Sequence, residues 1–350
     1  MVGDEATRPI LGNSPARFQM TRRKLCVNLA SGKDSLKMKY IRKIALGVGI
    51  VGWLRFGHAQ TAIPSAPAAP DDLHAMAGTL AYHLATNAVG HSLDASGHAR
   101  DLMALSNWGY AQYSETNLGQ LTNSVWSTKF WLNGVKGLSA TCIGFRGGLG
   151  GQGLMTMVSP RHYLFASHMH PEGYRAAFLD TNNHLIWRKS LERVDVGNDI
   201  SVGILDQDLP KSVGYLPVLP ANFTNYLPTN LNTAVQGIGM NQDMRLFGEP
   251  MSFGNPQMVL WNSRLAVPFG LGTNWNVMVR GGDSSDPAML LIGDQLVLVS
   301  HNYFIQGGPS YANNIAAINR AMHDLSTHNH VNTDYQLTSI SLTDWKVINP

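Results

Sequence analysis

The chain has 350 residues, enough for one large domain or two small ones around a sizeable buried core. Charged residues make up only 14%, against 44% hydrophobic residues and 35 glycines, a balance that suits a loop-rich β protein better than a helical one. The formal charge of +3 is mild and many basic residues lie ahead of Ile44, so the rest is close to neutral or acidic and carries no nucleic-acid surface.

The N-terminus reads as a targeting segment. Lys39, Arg42 and Lys43 follow Met38, Ile44 to Leu54 is an apolar run too short to span a bilayer comfortably, and Gly57 and Ala59 place a cut after Ala59. Residues 1–37 are then a leader or an over-extended start, and 38–59 a signal peptide. That implies a secreted or periplasmic protein with no stable membrane span after signal cleavage; the alternative is a membrane anchor at residues 44–54. Cleavage would remove Cys26 and leave Cys142 alone, without an intramolecular disulfide, as a small buried residue on a strand.

Residues 60–135 read as a linker and N-terminal extension. "TAIPSAPAAP" is a Pro/Ala-rich linker, and "DDLHAMAGTLAYHLATN", residues 71–87, has an acidic start and apolar residues at helical spacing, which predicts a short helix. Residues 88–135 are mixed and suggest no role.

From Lys136 the pattern changes to short apolar or alternating runs between turn residues, such as "HYLFASH", "ISVGILD", "TAVQGIGM" and "QLVLVSHNYF". Such spacing predicts an all-β barrel or sandwich, not βαβ units. "LLIGDQLVLV" reads as a hairpin turning at Gly293-Asp294. "SYANNIAAINRAMHDL" puts Ile315, Ile318, Met322 and Leu325 on one face of an amphipathic helix. "GLGGQG", Gly148 to Gly153, has the glycine spacing of a dinucleotide fingerprint, but a strand-like "LMTMVSP" follows it instead of a helix, so it reads as a glycine-rich hairpin loop.

Three segments carry candidate chemistry. A serine hydroxyl is a poor nucleophile near neutral pH; it needs a base within hydrogen-bond reach, and the base needs an orienting carboxylate. In "YLFASHMHP" an apolar strand runs through small residues into His168, with His162 and His170 as rivals. A zinc site at His168 and His170 lacks further ligands, so no metal is expected. In "GNDISVGILDQDLP", Asp199 directly precedes a strand, as a turn residue or an orienter. "RGGDSSDPAM" places glycines before Ser284, which allows two backbone N–H groups to converge on one spot. Taken singly, each is more often an ordinary histidine or a polar turn.

Together, in the order His, Asp, Ser and each at a strand boundary, they resemble the chymotrypsin/trypsin-like family of serine proteases. "FASHM" is similar to the family's Thr-Ala-Ala-His-Cys, "NDISVGIL" to Asn-Asp-Ile-Ala-Leu-Leu and "GDSSDP" to Gly-Asp-Ser-Gly-Gly-Pro. "LVLVSHNYF" resembles its Val-Ser-Trp-Gly strand, and "YANNIAAINRAM" its closing helix. The resemblance covers residues 136–325, a trypsin-like protease domain, and leaves 326–350 as a C-terminal tail. It implies two six-stranded antiparallel β-barrels with a C-terminal helix, preceded by the helical or irregular N-terminal extension.

The resemblance makes Ser284 the nucleophile, His168 the general base and then acid, and Asp199 the residue that holds the histidine tautomer. The N–H groups of Gly282 and Ser284 become the oxyanion hole. Met278 falls at the base of the primary pocket, and Ser300, His301 and Asn302 along its wall. Met278 favours an uncharged, apolar side chain before the cleaved bond; His301 would instead favour an acidic one. The expectation is a secreted serine endopeptidase acting on peptide or protein substrates without a cofactor. The alternatives are a catalytically impaired protease-fold binding or structural module, and an ester hydrolase using the same triad. The sequence leaves the oligomeric state open.

The chain departs from the family pattern in specific places. The His–Asp spacing is short, and Met169 replaces the cysteine beside the histidine. No Ile-Val-Gly-Gly-like terminus precedes the barrels, so Asp283, its usual partner, needs another. Ser285 and Asp286 stand where the motif has glycines, and Asp286 would oppose a developing oxyanion if it faced it.

Overall fold

The structure, a computed structural model, describes residues 75–107, 121, 123–146, 153–255, 258–261, 265–277, 279–303 and 307–349. The leader, the signal segment, the Pro/Ala linker, most of the glycine-rich stretch 148–153 and Met278 lie outside the described residues.

The helix predicted at 71–87 is described as α1, Leu80–Ser92. Gly78, at φ 82°, breaks the chain ahead of it, and Thr79 caps it: Thr79 Oγ1 accepts the Tyr82 N–H at 3.2 Å. The helix runs past Asn87 because that side chain is engaged elsewhere, donating to the carbonyls of Leu291 and Gly293 at 3.3 and 2.7 Å. Leu80 and Leu84 are buried against β residues, so the N-terminal extension is packed onto the β body. A two-stranded ladder, β1 (Leu105–Ser106) with β2 (Val125–Trp126), follows.

The apolar runs after Lys136 form two curled antiparallel sheets of six strands each. The first comprises β3 (Gly144–Arg146), β4 (Thr156–Met157), β5 (His162–Ala166), β6 (Arg175–Leu179), β7 (Leu185–Gly197) and β8 (Ile200–Leu205), in the order β3-β6-β7-β8-β5-β4. The second comprises β9 (Val235–Met240), β10 (Leu246–Asn255), β11 (Met258–Trp261), β12 (Pro287–Ile292), β13 (Gln295–His301) and β14 (Gly307–Pro309), in the order β13-β12-β9-β10-β11-β14. The curl shows in bonds between the edges. Thr141 bridges Thr156 and the Cys142 N–H donates to Met155 O at 2.9 Å, which returns the chain ahead of β3 to β4. The Tyr303 N–H donates to Gly307 O at 3.0 Å and the Tyr311 N–H to Val299 O at 3.1 Å, which draws β14 toward β13.

Large and small residues pair inside the curl. Gly203 lies opposite Tyr163 in register, and a Cβ there would sit 2.0 Å from the tyrosine ring. Tyr163 Oη meets Ser190 Oγ at 2.6 Å, so the buried phenol keeps a partner. Cys142 is fully buried, its Sγ accepts the Met155 N–H at 3.1 Å, and burial pushes its thiol up to about 12, as an inert core residue requires. The hairpin at Gly293-Asp294 joins β12 to β13 with Ile292 paired to Gln295.

The amphipathic segment is α2, Ile315–His328, which lies on β7 and β8 and buries Ile318, Ala321, Met322, Leu325 and Ser326. Each large apolar side chain so removed from water contributes about 1.5–3 kcal/mol. His162 pins the helix to β5: its ring nitrogens meet Ser159 Oγ at 3.0 Å and Ser326 Oγ at 3.1 Å. The chain after α2 continues against the body, where Val218 donates to Thr338 O at 2.8 Å and accepts from the Ile340 N–H at 3.1 Å.

Candidate active site

Asp199 occupies the two-residue turn between β7 and β8. Gly197 pairs with Ile200 across the turn, and Asn198 and Asp199 have φ of 53° and 62°. Two left-handed residues in a row define the tight hairpin whose twist matches its strands, and Asn and Asp tolerate that conformation. Asp199 is therefore both the turn residue and a presented carboxylate.

His168 follows β5, the neighbour of β8, so the pairing of these strands brings the two residues together. The Ser167 N–H donates to Asp199 O at 2.9 Å. The Asp199 carboxylate accepts from the His168 N–H at 3.0 Å and from Ser167 Oγ at 3.1 Å. His168 Nδ1 lies 2.9 Å from both carboxylate oxygens. An anionic carboxylate only accepts, so Nδ1 carries the proton and Nε2 is left as the basic nitrogen. Burial alone would raise the Asp199 carboxyl, but the His301 ring facing it and the hydrogen bonds from His168 outweigh that and hold the group at about 2. Asp199 is 10% exposed and His168 40%, so the imidazole opens to solvent more than the carboxylate does.

The Ser284 loop is folded on itself. The Asp283 N–H donates to Arg280 O and the Asp286 N–H to Asp283 O, both at 3.1 Å, two overlapping turns. The Asp283 carboxylate accepts the Arg280 N–H at 2.8 Å and the Gln242 N–H at 3.2 Å. Gly282 has φ 101°, a conformation that favours glycine, and a Cβ there would lie 2.9 Å from the end of the Gln242 side chain. Among the described residues the N–H groups of Gly282 and Ser284 have no hydrogen-bond acceptor.

Ser285 and Asp286 face the interior. Ser285 is buried at φ 72°, a left-handed conformation that L side chains rarely adopt, and its Oγ accepts the Ala166 N–H at 2.5 Å. The loop is thereby fastened to the end of β5, two residues before His168. Asp286 is fully buried; burial and then the neighbouring Asp283 charge push its carboxyl well above the usual range. It lies beneath the loop and not among the residues that line the cleft. Gly153, at φ 81°, donates its N–H to Gly282 O at 3.1 Å; a Cβ there would meet Ser284 O at 2.4 Å and the Met169 side chain at 3.3 Å. The end of the glycine-rich stretch thus packs between the Ser284 loop and the residue after His168.

Ser284, half-buried, lines a cleft of about 210 Å³ with Val279, Arg280, Gly281, Asp283, Asn302 and Tyr303. The Tyr303 ring also stands 6.0 Å from the His168 ring, so His168 and Ser284 share this neighbour. No hydrogen bond joins Ser284 Oγ to His168 among the described residues. Asn302 lines the cleft, whereas Ser300 and His301 are buried and are not among its lining residues. His301 lies behind Asp199, with Nε2 3.6 Å from Oδ2. Neither the protein-family models nor the curated proteins compared with the sequence match it.

Proposed function

We propose that the protein is a serine endopeptidase of the two-barrel, chymotrypsin-like kind. One observation carries this reading: His168 Nδ1 is bonded to a half-buried Asp199 carboxylate, and His168 has Tyr303, a lining residue of the Ser284 cleft, as a ring neighbour, with the three residues in the chain order His, Asp, Ser. The curled sheets and the C-terminal helix support the two-barrel reading.

The chemistry follows from the geometry. Ser284 Oγ attacks the scissile carbonyl carbon and its proton passes to His168 Nε2. Asp199 keeps Nδ1–H aligned and stabilises the imidazolium without taking the proton. The N–H groups of Gly282 and Ser284 hold the oxyanion. Collapse breaks the C–N bond, the leaving amine takes the proton from Nε2, and water cleaves the acyl-enzyme by the reverse sequence. Asn302 and Tyr303 contact the substrate in the cleft, and Met278 is its proposed base. The reaction requires no cofactor. Export through the segment 38–59 is part of the same proposal, and the mass of the mature N-terminus tests it.

A fluorophosphonate, which reacts with activated serines, tests the reading: Ser284 becomes labelled and peptide hydrolysis stops. The second reading, a protease-fold binding module with little activity, is favoured by the absent Ser284–His168 hydrogen bond. Such bonds often tighten only when substrate binds, so peptide turnover decides between the two.

A further inference from the structure

Asp199 has a second histidine behind it. His301, at the end of β13, is 2% exposed, and its Nε2 lies 3.6 Å from Asp199 Oδ2. Its Nδ1 meets Tyr311 Oη at 2.5 Å. Tyr311 is fully buried, and burial, then the Asp199 charge, pushes its hydroxyl well above the usual range. A protonated phenol can donate to Nδ1 or accept from it, but an unprotonated Nε2 would turn its lone pair toward the anionic Asp199 Oδ2 and be repelled, so the arrangement that suits both neighbours has Tyr311 donating to Nδ1. That assigns the imidazole proton to Nε2, the atom nearest Asp199. Nε2 has no hydrogen-bond partner among the described residues, and Oδ2 accepts only from His168 Nδ1.

A buried histidine bonded to a tyrosine is often ordinary core. Here its Nε2 lies 3.6 Å from the carboxylate that orients the proposed base, on the buried side, whereas His168 lies on the solvent-exposed side. We propose that His301 is a positioning residue: Tyr311 fixes its tautomer, and its Nε2–H supports Asp199 Oδ2 so that the carboxylate keeps its charge and its alignment on His168. This rests on the reading of His168, Asp199 and Ser284 as a triad. A neutral donor behind Asp199 disfavours proton transfer to the carboxylate when His168 becomes an imidazolium, and it restrains rotation of the carboxylate away from Nδ1.

The test uses His301→Leu, His301→Gln and Tyr311→Phe in the full chain, each with Ser284 intact and with Ser284→Ala. In the Ser284→Ala background the readout is the far-downfield proton resonance of His168 Nδ1–H, which reports the bond to Asp199 without turnover. With Ser284 intact it is the rate of fluorophosphonate labelling. His301→Leu is expected to move or broaden the resonance and to slow labelling at least about tenfold, since small misplacements of catalytic groups have effects of that order. Tyr311→Phe acts in the same direction, and His301→Gln, whose amide keeps a donor, restores most of both signals. An unmoved resonance in folded His301→Leu, or, if that variant does not fold, in Tyr311→Phe, overturns the proposal, as does a His301→Gln no better than His301→Leu. A wild-type protein that resists labelling while the resonance still responds to His301 would sink the protease reading and leave the support of Asp199 standing.

Discussion

Ser285 Oγ accepts the Ala166 N–H at 2.5 Å, and this bond ties the loop carrying Ser284 to the strand that leads to His168. The hydroxyl thus offsets the strain of a non-glycine residue at φ 72°. Ser285→Ala keeps the strain and leaves a buried N–H unpaired, which costs about 1–3 kcal/mol. Ser285→Gly loses the same bond but regains about 1–2 kcal/mol by relieving the backbone. Denaturant melts should therefore rank the wild type first, glycine second and alanine last; an alanine variant as stable as the wild type contradicts the role given to this bond.

Gly153 should govern the Ser284 loop although it lies far away in sequence. A Cβ at this position would sit 2.4 Å from Ser284 O, so Gly153→Ala has to displace one backbone or the other. A shift of about 1 Å at a reacting group slows reaction by about 10²-fold, and that loss is expected in the labelling rate. Unchanged labelling in a folded variant would show that the contact does not position Ser284.

Asp199→Asn is expected to lower peptide turnover about 10³–10⁴-fold, because an amide donor facing Nδ1 favours the wrong tautomer. Its effect on stability depends on pH. The folded carboxyl is held at about 2, below the unfolded value of 3.8, so its contribution is present above about pH 4 and is lost as pH falls through 2. At neutral pH that contribution is about 2 kcal/mol. Acid melts of the two proteins should converge toward pH 2.

Glu249 titrates in the opposite sense. Burial raises its carboxyl to about 8, so the folded form binds the proton more tightly than the unfolded chain. The contribution is full below about pH 4.5 and is lost as pH rises through 8. Glu249→Gln removes this slope. Relative to the wild type, the variant should gain a few kcal/mol, on the order of 3–5, between pH 4.5 and pH 8. Urea melts at the two pH values measure it, and a constant difference would place Glu249 in a more solvated setting.

The sequence carried the sheet content well, because inward-facing residues such as Leu164, Val202, Ile238 and Leu290 recur at strand spacing between turn residues. The turn at Asp199 was legible, since Gly-Asn-Asp before an apolar strand is turn chemistry, and the turn brings the carboxylate to His168. The start of α1 lay in Gly78-Thr79, a break and a cap, and was masked by the acidic pair upstream. The partners of Asp283 were hidden because they are backbone amides of Arg280 and Gln242, and any residue type supplies those. The place of His301 was hidden too, because residues successive along β13 face opposite sides, and the resemblance that aligned this strand with a pocket wall did not determine which side His301 takes.

The central claim is that Ser284 is a nucleophile activated by His168, and fluorophosphonate labelling with peptide mass mapping measures it directly. The account predicts one modified residue, Ser284, in the wild type, with labelling lost in Ser284→Ala and strongly slowed in His168→Ala. Ser284 left unlabelled in folded protein, under conditions where an active serine protease is fully labelled, would contradict it.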